Sequence, residues 1–342
     1  MTISIVRRVV AALGVALAFQ SSQPVGAAPI SGVAAYVRLE SSTAVVDVIY
    51  RYGHNDPAPS GAYGVNIKAP HTAWYLEEQR AGGTDVIGGA IRHDPALIAS
   101  GLKMFHWGLT RQAADGSFPG SQWPFHGVAF FLSEAAPALL FLQSSSYAGQ
   151  FARELAWEIP RLRKAAYAMV HSVHGPGKID DSTKNHRRFE AAIALGATGL
   201  LSGNSTLTTW SRTYAWQGIH MTRLDGVMPE DGGHDSGYQA LGMIDATKYL
   251  TLVATGSLYE ALHAALARGE AWELSRIGVD GSVNQTGDSR TVGCEETNPA
   301  GHCKTVFYAP IFSALARWAA ISGDTRYASA SQKVWKHSGY GG

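Results

Sequence analysis

The chain has 342 residues, with 28 Lys and Arg against 27 Asp and Glu and a net charge of +1. That balance gives no electrostatic case for a nucleic-acid partner, and the length is ample for a large hydrophobic core. With 9 Trp, 14 Tyr and 11 Phe but only 16% charged residues, it leans towards a sugar or small-molecule cleft. Aromatic faces stack on the apolar faces of pyranose rings, although aromatics also fill cores.

The N-terminus carries Arg7 and Arg8, an apolar run from Val9 to Phe19, a polar spacer and Val25, Gly26 and Ala27. This three-part form predicts a signal peptide over residues 1–27 and a secreted or periplasmic protein, the run being too short to stay in a bilayer. No stable membrane insertion is expected after cleavage. Residues 28–90 read as a short irregular N-terminal arm. Within it TAVVDVIYRY has β-branched character, and GHNDPAPSGAYG is a turn-rich loop expected to lie over a cleft.

From residue 91 the helical period dominates. HDPALIASGLKMFHWGLTRQ opens on an Asp-Pro start signal, and VAFFLSEAAPALLFLQ is a buried helix. Further helices are expected from Gly149 to His171, over AAIALGATGLL, from Ser205 to Trp216, over QALGMIDATKYLTLVA, and near Ser257 to Ile277, Thr305 to Ala320 and Tyr327 to His337. Strand signals are few. The economical architecture is all-α, with helical hairpins over residues 91–342 closing into an incomplete barrel, an (α/α) toroid.

Cys294 and Cys303 flank a turn-rich loop nine residues long from one to the other, and in an oxidising compartment a disulfide is the favoured pairing. With His302 they also resemble the start of a zinc site, but a fourth ligand and Cys-x-x-Cys spacing are missing.

Three loops concentrate polar residues ahead of apolar helices: Asp115 to His126, Asp180 to Arg188, and Pro229 to Tyr238. Their shared position predicts one cleft at one end of the helices. Cleaving a uronic-acid polymer by β-elimination needs a neutralised carboxylate, a base for the C5 proton and an acid for the departing O4. Asn185, His186, Arg187, His234 and Tyr238 contain that set, and the scheme requires no metal or other cofactor. The plainer alternative is that Asn185 and His186 only cap a helix start.

TKNHRRFEAAIALGATGLL resembles the Asn-His helix of (α/α)-barrel polysaccharide lyases of the alginate-lyase type. HDSGYQALGMIDATKYL is similar to the segment that supplies their catalytic Tyr, and DGSFPGSQWPFHGVAFFLSEAAPALL to their aromatic helix entrance. The resemblance implies Asn185 as carboxylate neutraliser, His186 as base or partner in neutralisation and Tyr238 as acid; on the residues alone, either His186 or His234 could be the base. Arg187, Arg223, His126, Trp123 and Gln122 are candidate substrate contacts. The expected partner is an acidic polysaccharide or oligosaccharide: alginate, glucuronan or a glycosaminoglycan-like chain. Two other readings stay open. One is an inverting glycoside hydrolase using Glu230 or Asp231 with Asp115 or Asp180. The other is a non-catalytic periplasmic carbohydrate-binding protein.

Overall fold

The computed structural model describes residues 32–51, 53–68, 74–171, 183–294, 296, 297 and 301–340. The expected signal peptide and Asp180 lie outside them. Among the described residues the chain is all-α, and its extended pairings are isolated bridges. The helices are α1 (Val33–Glu40), α2 (Thr43–Val45), α3 (Gly82–Arg92), α4 (Pro95–Leu109), α5 (His126–Gln143) and α6 (Ala152–His171). Then follow α7 (His186–Leu201), α8 (Ser205–Met221), α9 (Ser236–Leu252), α10 (Gly256–Ser275), α11 (Tyr308–Ser322) and α12 (Thr325–His337). A π-helical turn (Val46–Tyr50) continues α2, and 3-10 helices occupy Gly64–Ile67 and Leu76–Ala81.

Local chemistry sets the starts. The Asp94 carboxylate accepts from the Ala96 and Leu97 N–H groups at 3.0 and 3.1 Å, and Pro95 opens α4 with a φ already suited to helix. Asn204, Asp235 and Asp324 cap α8, α9 and α12 in the same way.

The odd-numbered helices α3, α5, α7, α9 and α11 touch one another in chain order, and each is covered by the even-numbered helix that follows it. Burial follows this division. In α9 every residue but Leu241 is buried, whereas α6, α8 and α12 keep polar outer faces. Although α5 has the length and apolarity to cross a membrane, 83% of it is buried inside the fold. Small residues let the inner helices close up: a side chain at Gly242 would meet the His186 Cα at 3.0 Å, so α9 runs against the start of α7.

The described residues among 28–90 are in part helical, holding α1, α2, the π-helical turn and most of α3. Of TAVVDVIYRY, residues 43–50 are helical, because Val45, Val48 and Tyr50 are buried against neighbouring helices and that burial overrides β-branched propensity. The segment α1 to Tyr50 contacts α11, and its π-helical turn also contacts α3. Glu40 fixes it there, accepting from Arg317 Nε and Nη2 at 2.9 and 2.8 Å and from the Tyr50 hydroxyl at 2.7 Å. Removing one partner of such a buried pair costs about 3–5 kcal/mol. α3 likewise begins before residue 91 and packs on α4 and α5. The turn-rich loop is held at Asn55, which is bonded to Asp85 at 2.8 Å and to the Ala81 carbonyl at 3.1 Å.

Candidate active site

The three polar loops meet where α5, α7 and α9 begin. The second and third are laced together: the Asn185 N–H donates to the Pro229 carbonyl at 2.9 Å, and the Thr183 hydroxyl to Asp231 at 2.8 Å. Lys184 lies 3.4 Å from Asp231. The first loop joins through His126, whose ring centroid is 6.4 Å from that of His186. Between them opens a cavity of about 430 Å³. Its walls carry Trp123, His126, Lys184, Arg187 and Tyr238 from the three loops, Glu77, Glu78 and Arg80 from the 3-10 helix Leu76–Ala81, and Arg290, Glu296 and Lys304 from the segment before α11.

His186, the first residue of α7, is buried beneath this cavity. Its Nδ1 lies 2.8 Å from Glu230 Oε1, and the same oxygen accepts the His186 backbone N–H at 3.0 Å. Arg290 donates to Glu230 Oε2 at 3.1 Å. With Glu230 accepting on both oxygens, Nδ1 carries a proton directed at it, and Nε2 is the other ring nitrogen. That Nε2 is buried and has no hydrogen-bond partner. The Tyr238 ring, on the cleft wall, is 5.2 Å away between centroids.

Tyr238 is held from several sides. Lys304 Nζ donates to its hydroxyl at 2.6 Å, that hydroxyl donates to Glu296 at 3.3 Å, and the Arg290 guanidinium lies over the ring at 3.3 Å. Glu296 in turn accepts from Arg290 Nε at 2.7 Å and Lys304 at 2.7 Å. Burial raises the Tyr238 phenol above the ordinary tyrosine range despite Arg290, so it stands protonated at neutral pH. Burial would also raise Glu296, but the hydrogen bonds from Arg290 and Lys304 prevail and draw it down to about 2.

Beside this pair lies a second one. His126 Nδ1 is 3.4 Å from Glu190 Oε1, on α7 one turn beyond His186. Burial, with Arg187, His186 and Arg80 nearby, pushes His126 well below its usual range and keeps it neutral. Burial and the neighbouring Asp245 raise Glu190 well above the carboxylate range. Burial also lowers Arg187, whose guanidinium faces Glu190, Glu230 and Arg290.

The disulfide is present, Cys294 to Cys303 with Cα atoms 4.8 Å apart, so these cysteines are not zinc ligands. Glu296 lies within its closed loop and Lys304 directly follows it, and both bond to the Tyr238 hydroxyl.

Of the expected site residues, His186, Tyr238, Arg187, His126 and Trp123 are brought together, and four are not. Asn185 is fully buried, its amide donating to the Gly218 carbonyl at 3.1 Å and to Thr222 at 3.3 Å, so it anchors the end of α8. His234 stands outside the Asp235 cap of α9, with Nε2 3.2 Å from the Thr286 carbonyl and its ring 5.2 Å from Trp272. Arg223 is exposed and pairs with its neighbour Asp225 at 2.8 Å. Gln122 is exposed off the cavity wall, its backbone N–H bonded to the Trp74 carbonyl at 2.9 Å. Asp115, offered as a hydrolytic base, is also off the wall and accepts from Ser117 at 2.7 Å.

Glu230 entered the sequence reading only as a hydrolytic acid, and Arg290, Glu296, Lys304 and Arg80 did not enter it. The nearest signal for Glu296 and Lys304 was their position beside the two cysteines. Comparison with family models, with curated proteins and with solved structures found no match to this chain.

Proposed function

We propose that this chain is a polysaccharide lyase on an (α/α) toroid that cleaves a uronic-acid polymer by β-elimination. The observation that carries this reading is the His186–Tyr238 pair: an imidazole with Nδ1 fixed on Glu230 and Nε2 buried without a hydrogen-bond partner, beside a protonated phenol flanked by Lys304 and Arg290. The toroid rests on inner helices that touch in chain order, each with an outer partner, and on α1 to Tyr50 reaching both α11 and α3. On the three-part leader, the enzyme is an exported one, secreted or periplasmic.

In the reaction the substrate carboxylate meets Arg187 and Lys184, and its charge is neutralised, which acidifies C5–H. His186 Nε2 takes the C5 proton. The electron pair becomes the C4–C5 double bond, the C4–O4 bond breaks, and O4 takes the Tyr238 proton. No water is consumed. The proton on His186 then returns to the tyrosinate, which Lys304 and Arg290 stabilise in the interval.

A hydrolytic reading keeps one observation of its own. Glu77, raised by burial, and Glu296, drawn down to about 2, both face the cavity, and carboxyls pushed apart in this way suit acid and base. Glu296 is, however, occupied by Arg290, Lys304 and Tyr238. Incubation with alginate, polyglucuronate and glycosaminoglycans decides: the lyase forms near-ultraviolet-absorbing unsaturated ends and is inactive on the carboxyl-reduced polymer. New reducing ends without that absorbance contradict it.

A further inference from the structure

The sequence carries Trp-x-x-x-Arg three times, at Trp107 to Arg111, Trp157 to Arg161 and Trp272 to Arg276. On a helix that spacing puts both side chains on one face. In each pair the guanidinium lies over the indole, 3.4, 3.7 and 4.9 Å from the ring centroid. The third pair serves the fold, since Arg276 donates to Ser236 at 3.1 Å, to the Thr286 carbonyl at 3.0 Å and to Asp288 at 3.0 Å. The first two differ. Arg111 and Arg161 each donate to the carbonyl of their own Trp, at 2.7 and 2.8 Å, and neither has a carboxylate partner among the described residues. A guanidinium carries five N–H groups; Arg111 is exposed and Arg161 half-buried.

The two pairs form one face. Gln112 donates to the Arg161 carbonyl at 2.9 Å, and the His106 ring of α4 lies tilted against Trp157 of α6 with centroids 4.2 Å apart. Asp115, in the same loop, is taken up by Ser117. The face also adjoins the cavity mouth: Arg111 lies 5.9 Å from the Trp74 ring, and the next residue, Tyr75, meets Trp123 of the cavity wall at 5.5 Å.

We propose that the face of α4 and α6 centred on Arg111 and Arg161 is a second binding surface, holding an acidic polysaccharide that runs on from the cavity. It rests on the reading of the substrate as an acidic polymer. Guanidinium groups already laid on indoles lose little side-chain freedom on binding, and their planar forks match carboxylates and sulfates.

The test uses full-length Tyr238→Phe protein, which leaves polymer intact, in electrophoresis through gels containing alginate, polyglucuronate or neutral dextran. Adding Arg111→Gln and Arg161→Gln weakens retardation by an acidic polymer about tenfold, in keeping with ~1.4 kcal/mol of lost binding. In the active chain the same pair raises KM for long polymer and leaves kcat and KM on a short oligosaccharide unchanged. Unchanged retardation, equal retardation in dextran or no binding of any acidic polymer overturns the surface. Arg-dependent binding without an unsaturated product keeps the surface and removes the lyase reading; elimination without Arg dependence does the reverse.

Discussion

His186 Nδ1 lies 2.8 Å from Glu230 Oε1, and the same carboxylate reaches Arg290 through its other oxygen at 3.1 Å. The imidazole is therefore fixed in orientation, and in the proposed reaction Nε2 is the nitrogen that takes the proton. His186→Ala is expected to lower kcat by about 10²–10⁴-fold. Glu230→Gln lowers kcat, because it disturbs the ring's tautomer and the carboxylate that holds Arg290. Steady-state kinetics checks both, and near-wild-type kcat in either variant removes the pair from the chemistry.

Asn185 and His234 separate catalytic from structural roles. Asn185→Ala deletes a buried amide that holds the end of α8, so it should cost about 1–3 kcal/mol of stability. kcat per folded molecule should hold. His234→Ala, away from the cavity, leaves kcat within about twofold. Melting curves beside kinetics check this, and a large kcat loss in His234→Ala restores it as a candidate base.

The helical scaffold was legible because its signals are local: apolar residues at helical spacing, the Asp94–Pro95 start, and polar loops ahead of α5, α7 and α9. Residues 43–50 misled because β-branched propensity is local, while the burial of Val45, Val48 and Tyr50 is tertiary. The Glu230–His186 pairing joins residues 44 apart, a register that only packing fixes. His234 and Tyr238 sit in one polar stretch, but Asp235 accepts the Tyr238 N–H at 3.1 Å and starts α9 between them. The tyrosine is thereby set on the helix and the histidine outside it. Arg290, Glu296 and Lys304 lie in a loop with no period to read.

The disulfide connects redox state to chemistry. Cys294→Ser with Cys303→Ser opens the loop that holds Glu296 and Lys304 on Tyr238. Stability should fall by about 2–3 kcal/mol for a loop of this size. Activity should fall about tenfold or more, and Lys304→Ala should reproduce the kinetic loss with the disulfide intact. Equal activity of oxidised and reduced protein contradicts this.

Stability should fall as pH rises from about 5 to about 8. Glu270 is buried with both carboxyl oxygens unpartnered, and burial raises it to about 8. Below its unfolded value near 4.5 both states hold the proton. Between that value and about 8 only the folded state holds it, so folding stability is lost as pH climbs through that window. Each unit is worth ~1.4 kcal/mol. Glu270→Gln should be nearly neutral at pH 5 and raise Tm by about 2 °C or more at pH 8, read by calorimetry. An identical Tm–pH slope in the variant contradicts the assignment.

The central claim is that Tyr238 and His186 break the C4–O4 bond without water. Mass spectrometry of a defined uronate oligosaccharide cut once by the wild-type chain tests it most directly. Elimination predicts two fragments whose masses sum to that of the substrate, with the yield abolished in Tyr238→Phe. Fragments whose sum exceeds the substrate by one water contradict the account.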